Sequence, residues 1–337
     1  MPPVKKIAVL GAGSWGTALA LALLRSRTQH RVCLWARRAD LAESLAATRV
    51  NADYLPGFEL PPQLGIVSDL AQALSGAEIV LGVMPSEHAR GIYARAAKYF
   101  QAQTVIVSAT KGLDSPGLER MTRMIASITA PRFPARVAAL SGPSFAREVA
   151  RGDPTAVVVA SEDAALAAQI QEEFAGPTFR LYTNTDVAGV ELGGAVKNVI
   201  AIAAGVCFGL GLGHNSAAAL ITRGLAEMTR LGCALGGRRE TLAGLAGLGD
   251  LVLTCTGALS RNRSLGVALG QGRTLAEVQS GSRMVAEGVR TTAAVLELAR
   301  RSNIEMPITQ QMYAVLYEGR PAQEAIRELM ERRLTNE

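Results

Sequence analysis

Residues 6–24 read KIAVLGAGSWGTALALALL. The run KIAVL has the composition of a buried strand, and TALALALL that of a buried helix. Between them Gly11, Gly13 and Gly16 fit the spacing G-x-G-x-x-G. In a strand–turn–helix the three glycines have separate tasks. Gly11 makes the tight turn, Gly13 lets a pyrophosphate approach the backbone, and Gly16 lets the helix pack on the strand. The helix start then faces the phosphates with its free N–H groups and positive dipole end. In a chain with 34 glycines the spacing alone is a weak signal. The strand before it and the helix after it give it weight.

Similar apolar runs follow at RVCLW (31–35), EIVLGV (78–83), TVIVSA (104–109), RVAAL (136–140) and TAVVVA (155–160), with helical patterns between most of them. Continuous apolar strands separated by helices predict a parallel sheet covered on both faces. At 183–187, TNTDV offers helix N-cap residues, and no convincing strand follows. Helical patterns near 186–208, 215–235, 239–248, 261–270, 274–280, 288–302, 307–318 and 321–333 complete the chain. The fold class is therefore α/β. A doubly wound, Rossmann-type dinucleotide-binding domain is expected over residues 1–184, and an all-helical domain over 185–337.

With 337 residues, 49% hydrophobic and 19% charged, the chain is globular. The net charge of +6 comes from 30 arginines and five lysines spread without aromatic interleaving. That pattern suits small anionic ligands better than nucleic acid. The uncharged stretch Val199–Gly213 falls short of the roughly 20 residues a membrane span needs and reads as a buried helix and turn. No signal-peptide pattern precedes the first strand, and Cys33, Cys207, Cys233 and Cys255 are scattered as reduced cytoplasmic thiols would be. His30, His88 and His214 form no cluster, so no metal site is expected.

Polar groups follow the strand ends, where ligands of open α/β sheets sit. After Trp35-Ala36 come Arg37 and Arg38, with Asp40 further on. An NAD site usually has Asp or Glu there for both ribose hydroxyls, whereas guanidinium suits a 2′-phosphate. NADP(H) is thus expected to be the preferred dinucleotide, with NAD(H) possible. Met84-Pro85-Ser86, Thr110-Lys111-Gly112 and Ser141-Gly142-Pro143-Ser144 line the same expected crevice. In it Lys111 would meet a phosphate or carboxylate.

Reducing a ketone with a nicotinamide needs a proton donor at the carbonyl oxygen. In VELGGAVKNVIAIAAG (190–205), Lys197 sits against a wholly apolar run. Gly193, Gly194 and Ala201 lie a turn away on its helical face, which leaves room for a substrate. Desolvation would lower the pKa of such an ammonium. In GLAGLGDLVLTCTGALSRNRSLG (244–266), Asp250 and Thr254 stand among apolar residues. Asp250 is either a helix N-cap or the partner that holds Lys197. Ser260 is a plausible N-cap, and the helix start it makes with Arg261 and Asn262 suits a phosphate.

These segments resemble the bacterial NAD(P)-dependent sn-glycerol-3-phosphate dehydrogenases. The resemblance is carried, in the family's order from residue 6 to about 292, by GAGSWGTALA, ATKGL, SGPSFAREV, ELGGAVKNVIAIAAG, HNSAAALITRGLAEM, GLGDLVLTC, SRNRSLG and MVAEGVRT. It implies reduction of dihydroxyacetone phosphate to sn-glycerol 3-phosphate for phospholipid synthesis, in a cytoplasmic homodimer. It implies Lys197 as proton donor and acceptor. It places Lys111, Gly142, Ser144, Asp250, Ser260, Arg261 and Asn262 around the substrate. Ser14, Trp15, Arg37, Lys111, Ala146, Arg261, Val285 and Glu287 would contact the cofactor. Two other readings compete. One is a β-hydroxyacid dehydrogenase of the 6-phosphogluconate type, which pairs a Rossmann domain with helices and a catalytic lysine. Its asparagine typically lies four residues after the lysine, where this chain has Ala201. The other is an NADP-sensing protein that kept the fold without the chemistry.

Overall fold

The computed structural model describes residues 3–114, 117–280 and 286–332. The chain divides into two compact units, Met1–Glu191 and Leu192–Glu337. The first is built on an eight-stranded sheet of β1 (Lys6–Leu10), β2 (Arg31–Trp35), β3 (Gly65–Val67), β4 (Ile79–Gly82), β5 (Val105–Ser108), β6 (Arg136–Ser141), β7 (Thr155–Ala160) and β8 (Phe179–Asn184). Their spatial order is β8-β7-β6-β5-β4-β1-β2-β3. The run β3-β2-β1-β4-β5-β6 is the doubly wound order, in which the winding reverses beside β1. Side chains alternate between faces, and both faces are buried. Ile7, Val9, Leu34, Leu81 and Val107 pack with the helix Ser14–Leu24, while Ala8, Leu10, Trp35, Val80 and Ile106 pack with Tyr93 and Met124. Burial on both sides is why these strands read as unbroken apolar runs.

The sheet departs from the expected all-parallel form. β6 and β7 pair antiparallel, with Leu140 opposite Val159. Their connection contains only the six-residue helix Ala146–Arg151. At about 1.5 Å per residue it is too short to carry the chain back along β6 for a parallel return. Two strands of this sheet were not anticipated. β8 alternates buried and exposed residues at the sheet edge, and its FRLYTN shades into polar cap residues. β3 has three residues and begins with glycine at the other edge.

The division between the units falls within the helix Val187–Gly209. Asp186 Oδ1 accepts from the Gly189 N–H at 2.8 Å, so the cap expected in TNTDV is present. The helix starts well before Val199. Its 23 residues are long and apolar enough to cross a membrane, but 89% of its most apolar window is buried inside the protein. In the second unit its Gly205 meets Gly266 of the helix Arg261–Gly270 at backbone distance. A Cβ on Gly266 would stand 2.0 Å from the Ile202 carbonyl oxygen. The helix read over 239–248 is instead two pieces. Arg239–Ala243 is α-helical, Leu245–Gly249 is one π turn, and an unanticipated helix, Asp250–Thr256, continues from it.

Glu227 is buried in the second unit and accepts from the backbone N–H groups of Ile308 (2.6 Å) and Thr309 (3.3 Å). It thereby caps the helix Pro307–Tyr317.

Two outcomes follow for stability. Gly266→Leu is expected to cost at least about 3 kcal/mol, read as a lowered urea midpoint, because a backbone carbonyl occupies the needed space. Burial raises the Glu227 carboxyl to about 7 from an ordinary 4.5. Between those values the folded state holds more protons than the unfolded state, so unfolding free energy falls as pH rises. The fall attributable to Glu227 is on the order of 3 kcal/mol at most, and Glu227→Gln should remove that part of the slope in urea titrations across this window.

Candidate active site

In the first unit the reversal of winding beside β1 is occupied by the glycine turn. Gly11 has φ +126°, and a Cβ there would lie 2.6 Å from the Val83 carbonyl oxygen. A Cβ on Gly16 would lie 1.8 Å from the Gly11 carbonyl oxygen, so helix and turn are in backbone contact. At Gly13 nothing stands within 4 Å of the Cβ position. Gly13 is also the N-cap of the helix Ser14–Leu24 and has no side chain to cap it. Open space above Gly13 and uncapped N–H groups on the first turn fit a pyrophosphate. Ser14 Oγ donates to the Tyr54 carbonyl at 2.6 Å.

The strand ends converge as expected. Lys111 Nζ donates to the Gly142 carbonyl at 2.8 Å and to Ser144 Oγ at 3.3 Å, and lies 5.9 Å from the centre of the Trp15 ring. Gly142 has φ +130°, which turns its carbonyl out of β6 toward the lysine. Ala146 opens the helix Ala146–Arg151 and packs, like Trp15, on the edge of the sheet core. The two arginines after β2 differ. Arg38 pairs with Asp40 at 3.0 Å and reaches to 3.7 Å from Asp53. Arg37 is exposed and makes no ion pair among the described residues. Burial, with the Arg37 charge adding to it, holds the His88 imidazole below its ordinary value.

In the second unit Lys197 is 5% exposed, and its Nζ donates to Asp250 Oδ1 and, at 2.9 Å, to Thr254 Oγ1. The Thr254 hydroxyl donates onward to the Asp250 carbonyl at 2.6 Å, so one turn of helix supplies these two partners of the ammonium. Asp250 is 1% exposed, and the residue before its helix is Gly249, with no side-chain cap. Its carboxylate holds Lys197. Gly193 does not open room for a substrate. A Cβ there would meet the Ala246 carbonyl at 2.6 Å, so its space is filled by the π turn that carries Asp250. Nearby, burial outweighs the Lys197 charge and pushes the Cys255 thiol up to about 12.

Two asparagines extend this cluster. Asn262 Nδ2 donates to Asn198 Oδ1 at 2.9 Å, and the Gly288 N–H donates to Asn262 Oδ1 at 3.0 Å. The first bond sets the start of the helix Arg261–Gly270 beside the turn bearing Lys197. The second adds the start of the helix Glu287–Arg301 and so brings in Glu287. Ser260 Oγ accepts from the Arg263 N–H at 3.2 Å, which makes it the expected N-cap. Arg261 is exposed at that helix start. Val285 lies outside the described residues. Asn198 had no expected role. An asparagine inside an apolar run was the available signal, since a buried amide must find partners.

Family models match both parts of the chain. The NAD-dependent glycerol-3-phosphate dehydrogenase N-terminus covers residues 6–167, and the corresponding C-terminus covers 186–327. The chain is 56% identical to the glycerol-3-phosphate dehydrogenase [NAD(P)+] of Koribacter versatilis and 54% identical to that of Geobacter sulfurreducens, with 99% of each chain covered. It is also similar to the crystal structure of glycerol-3-phosphate dehydrogenase from Coxiella burnetii. There the TM-score is 0.93 at 45% identity, over 98% of this chain and all of the other. With its glycine turn at the winding reversal and its buried lysine beside an aspartate, the chain belongs to the NAD-dependent glycerol-3-phosphate dehydrogenase family.

Proposed function

We propose that this chain interconverts dihydroxyacetone phosphate and sn-glycerol 3-phosphate, with Lys197 giving and taking the proton. It is an NAD(P)-dependent oxidoreductase that makes glycerol 3-phosphate. The observation that carries the lysine's role is its buried Nζ, held by Asp250 and Thr254 beside the start of the helix Arg261–Gly270. When bound, the nicotinamide supplies a hydride to the ketone carbon. Lys197 passes a proton to the carbonyl oxygen and is left as an amine beside the Asp250 carboxylate, which favours the return of a proton. Asp250 and Thr254 orient Nζ, and oxidation of the alcohol runs through the same groups in reverse.

In this reading Arg261 and the helix start capped by Ser260 meet the substrate phosphate, with Asn262 fixing that start. Lys111, Gly142 and Ser144 complete the substrate contacts. Gly11, Gly13, Ser14, Trp15, Gly16, Ala146, Val285 and Glu287 serve the dinucleotide. Residues 1–184 form the dinucleotide domain and 185–337 the catalytic domain. We read NADP(H) as preferred, with Arg37 meeting the 2′-phosphate, because Arg38 is engaged by Asp40 and Asp53. The chain works as a cytoplasmic homodimer, and its product feeds phospholipid synthesis.

The direct test is NADPH oxidation with dihydroxyacetone phosphate, followed by the reverse reaction. Activity on 3-hydroxy acids with none on glycerol 3-phosphate would reassign the substrate class. NADPH binding with no turnover would favour a sensor. Lys197→Met is expected to lower kcat by at least about 10²-fold with dinucleotide binding kept, since positioned proton transfer is worth roughly 10²–10⁴-fold. A near-normal kcat removes lysine from the mechanism. Arg37→Ala should raise the KM for NADPH about 10-fold and leave that for NADH within about 2-fold. Equal effects on both would place the 2′-phosphate elsewhere.

A further inference from the structure

The glycine turn is held from above by a residue that makes no part of the motif. Asn51 ends the short strand Val50–Asn51 of a two-stranded ribbon with Leu55–Glu59, and it is fully buried. Its Nδ2 donates to the Ala12 carbonyl at 3.0 Å and to Thr17 Oγ1 at 2.8 Å. Its Oδ1 accepts from the Tyr54 N–H at 3.3 Å. The Ala12 carbonyl can only accept, so the amide has one allowed orientation. Ala12 lies between two glycines of the motif, and Thr17 lies in the first turn of the helix Ser14–Leu24. The Thr17 N–H makes that helix's opening bond to the Gly13 carbonyl at 2.9 Å. One side chain thus spans the turn from its carbonyl side to its helical side. The ribbon grips a second time where Ser14 Oγ donates to the Tyr54 carbonyl at 2.6 Å.

We propose that Asn51 is the positioning residue of the dinucleotide turn. By tying Ala12 to Thr17 it fixes the direction of the first-turn N–H groups that meet the pyrophosphate, and so sets dinucleotide affinity without touching the reacting atoms. A glycine-rich turn is pliable backbone, and N–H dipoles stabilise an anion best along fixed directions. The amide supplies that rigidity. Carboxylate at this position has no hydrogen to give and would face the Ala12 carbonyl. The inference rests on the reading of Gly13 as the pyrophosphate contact, and the experiment separates the two.

Dissociation constants for NADPH and NADH are measured by quenching of tryptophan fluorescence, alongside kcat at saturating dinucleotide and thermal midpoints. The proteins are Asn51→Asp, Thr17→Val, Thr17→Ser and Gly13→Val. Asn51→Asp and Thr17→Val should weaken both dinucleotides about 10- to 100-fold, the scale of a lost buried hydrogen bond, with kcat within about 2-fold. Thr17→Ser keeps the hydroxyl and should bind as the unaltered protein does. If Asn51→Asp does not fold, Thr17→Val carries the test alone. Unchanged affinity in a folded variant, whatever its thermal midpoint, overturns the role of Asn51, and so does a tenfold fall in kcat at saturation. Undiminished binding by Gly13→Val overturns the reading of the turn itself.

Discussion

The ion pair of Lys197 with Asp250 is the constraint around which the second unit is arranged. Taking an ammonium and a carboxylate out of water costs several kcal/mol per ion, which their attraction repays only in good geometry with further hydrogen bonds. Thr254 supplies such a bond, and it comes from the same turn as Asp250. The pair therefore demands one register between the helix Val187–Gly209 and the segment 245–256. The π turn at Leu245–Gly249 and the missing side chain at Gly193 let the two backbones approach closely enough to meet it. A π turn inside a helical run costs hydrogen-bond geometry, and such turns are found most often where function requires a side chain to be aimed. Here the aimed side chain is Asp250.

The first unit solves a different problem. Its ligand end is built mainly from backbone. The reversal of winding beside β1 leaves a crevice, and backbone fills its walls. Gly11 approaches Val83, Gly16 approaches Gly11, and Gly13 faces open space. The cations nearby stay at the rim, where Lys111 rests on the Gly142 carbonyl and Ser144, and Arg37 is exposed.

Much of this was legible in the sequence because it follows from local pattern. Strands buried on both faces read as apolar runs, so β1, β2 and β4 to β7 were recognisable, whereas the edge strands β3 and β8 were not, since half their residues face outward. The glycine turn, the cap at Ser260 and the oddity of a lysine in an apolar helix were equally local. What escaped depends on contacts between distant segments. Gly193 looked like space for a ligand and is filled by the Ala246 carbonyl. Asp250 had two local readings, and only the approach of the other helix decides between them. Glu191, in the same apolar stretch as Lys197, drew no attention. It accepts from Thr122 N–H at 2.9 Å and from Thr122 Oγ1 at 2.6 Å, and pairs with Arg120 at 3.2 Å, while burial pushes its carboxyl up. Asn51 is equally silent, because its partners, the Ala12 carbonyl, the Tyr54 N–H and the Thr17 hydroxyl, lie in segments that only the fold brings together.

Under the proposed function, the contrast between the two units follows from what each handles. Dinucleotide phosphates carry a permanent charge, and fixed dipoles meet a permanent charge well. Backbone N–H groups at a helix start carry no net charge to desolvate, and they keep their direction when the ligand leaves, provided the turn is stiff. A proton that must be given and taken back needs a group able to exist in two charge states. Backbone cannot do this; under the proposed mechanism Lys197 can, and the second unit bears the cost of a buried ammonium and of the carboxylate that steadies it. The cost cannot be removed by exchanging the pair for apolar residues of similar volume. Such an exchange is often neutral or stabilising for a fold, but under the proposed mechanism it would remove the group that moves the proton.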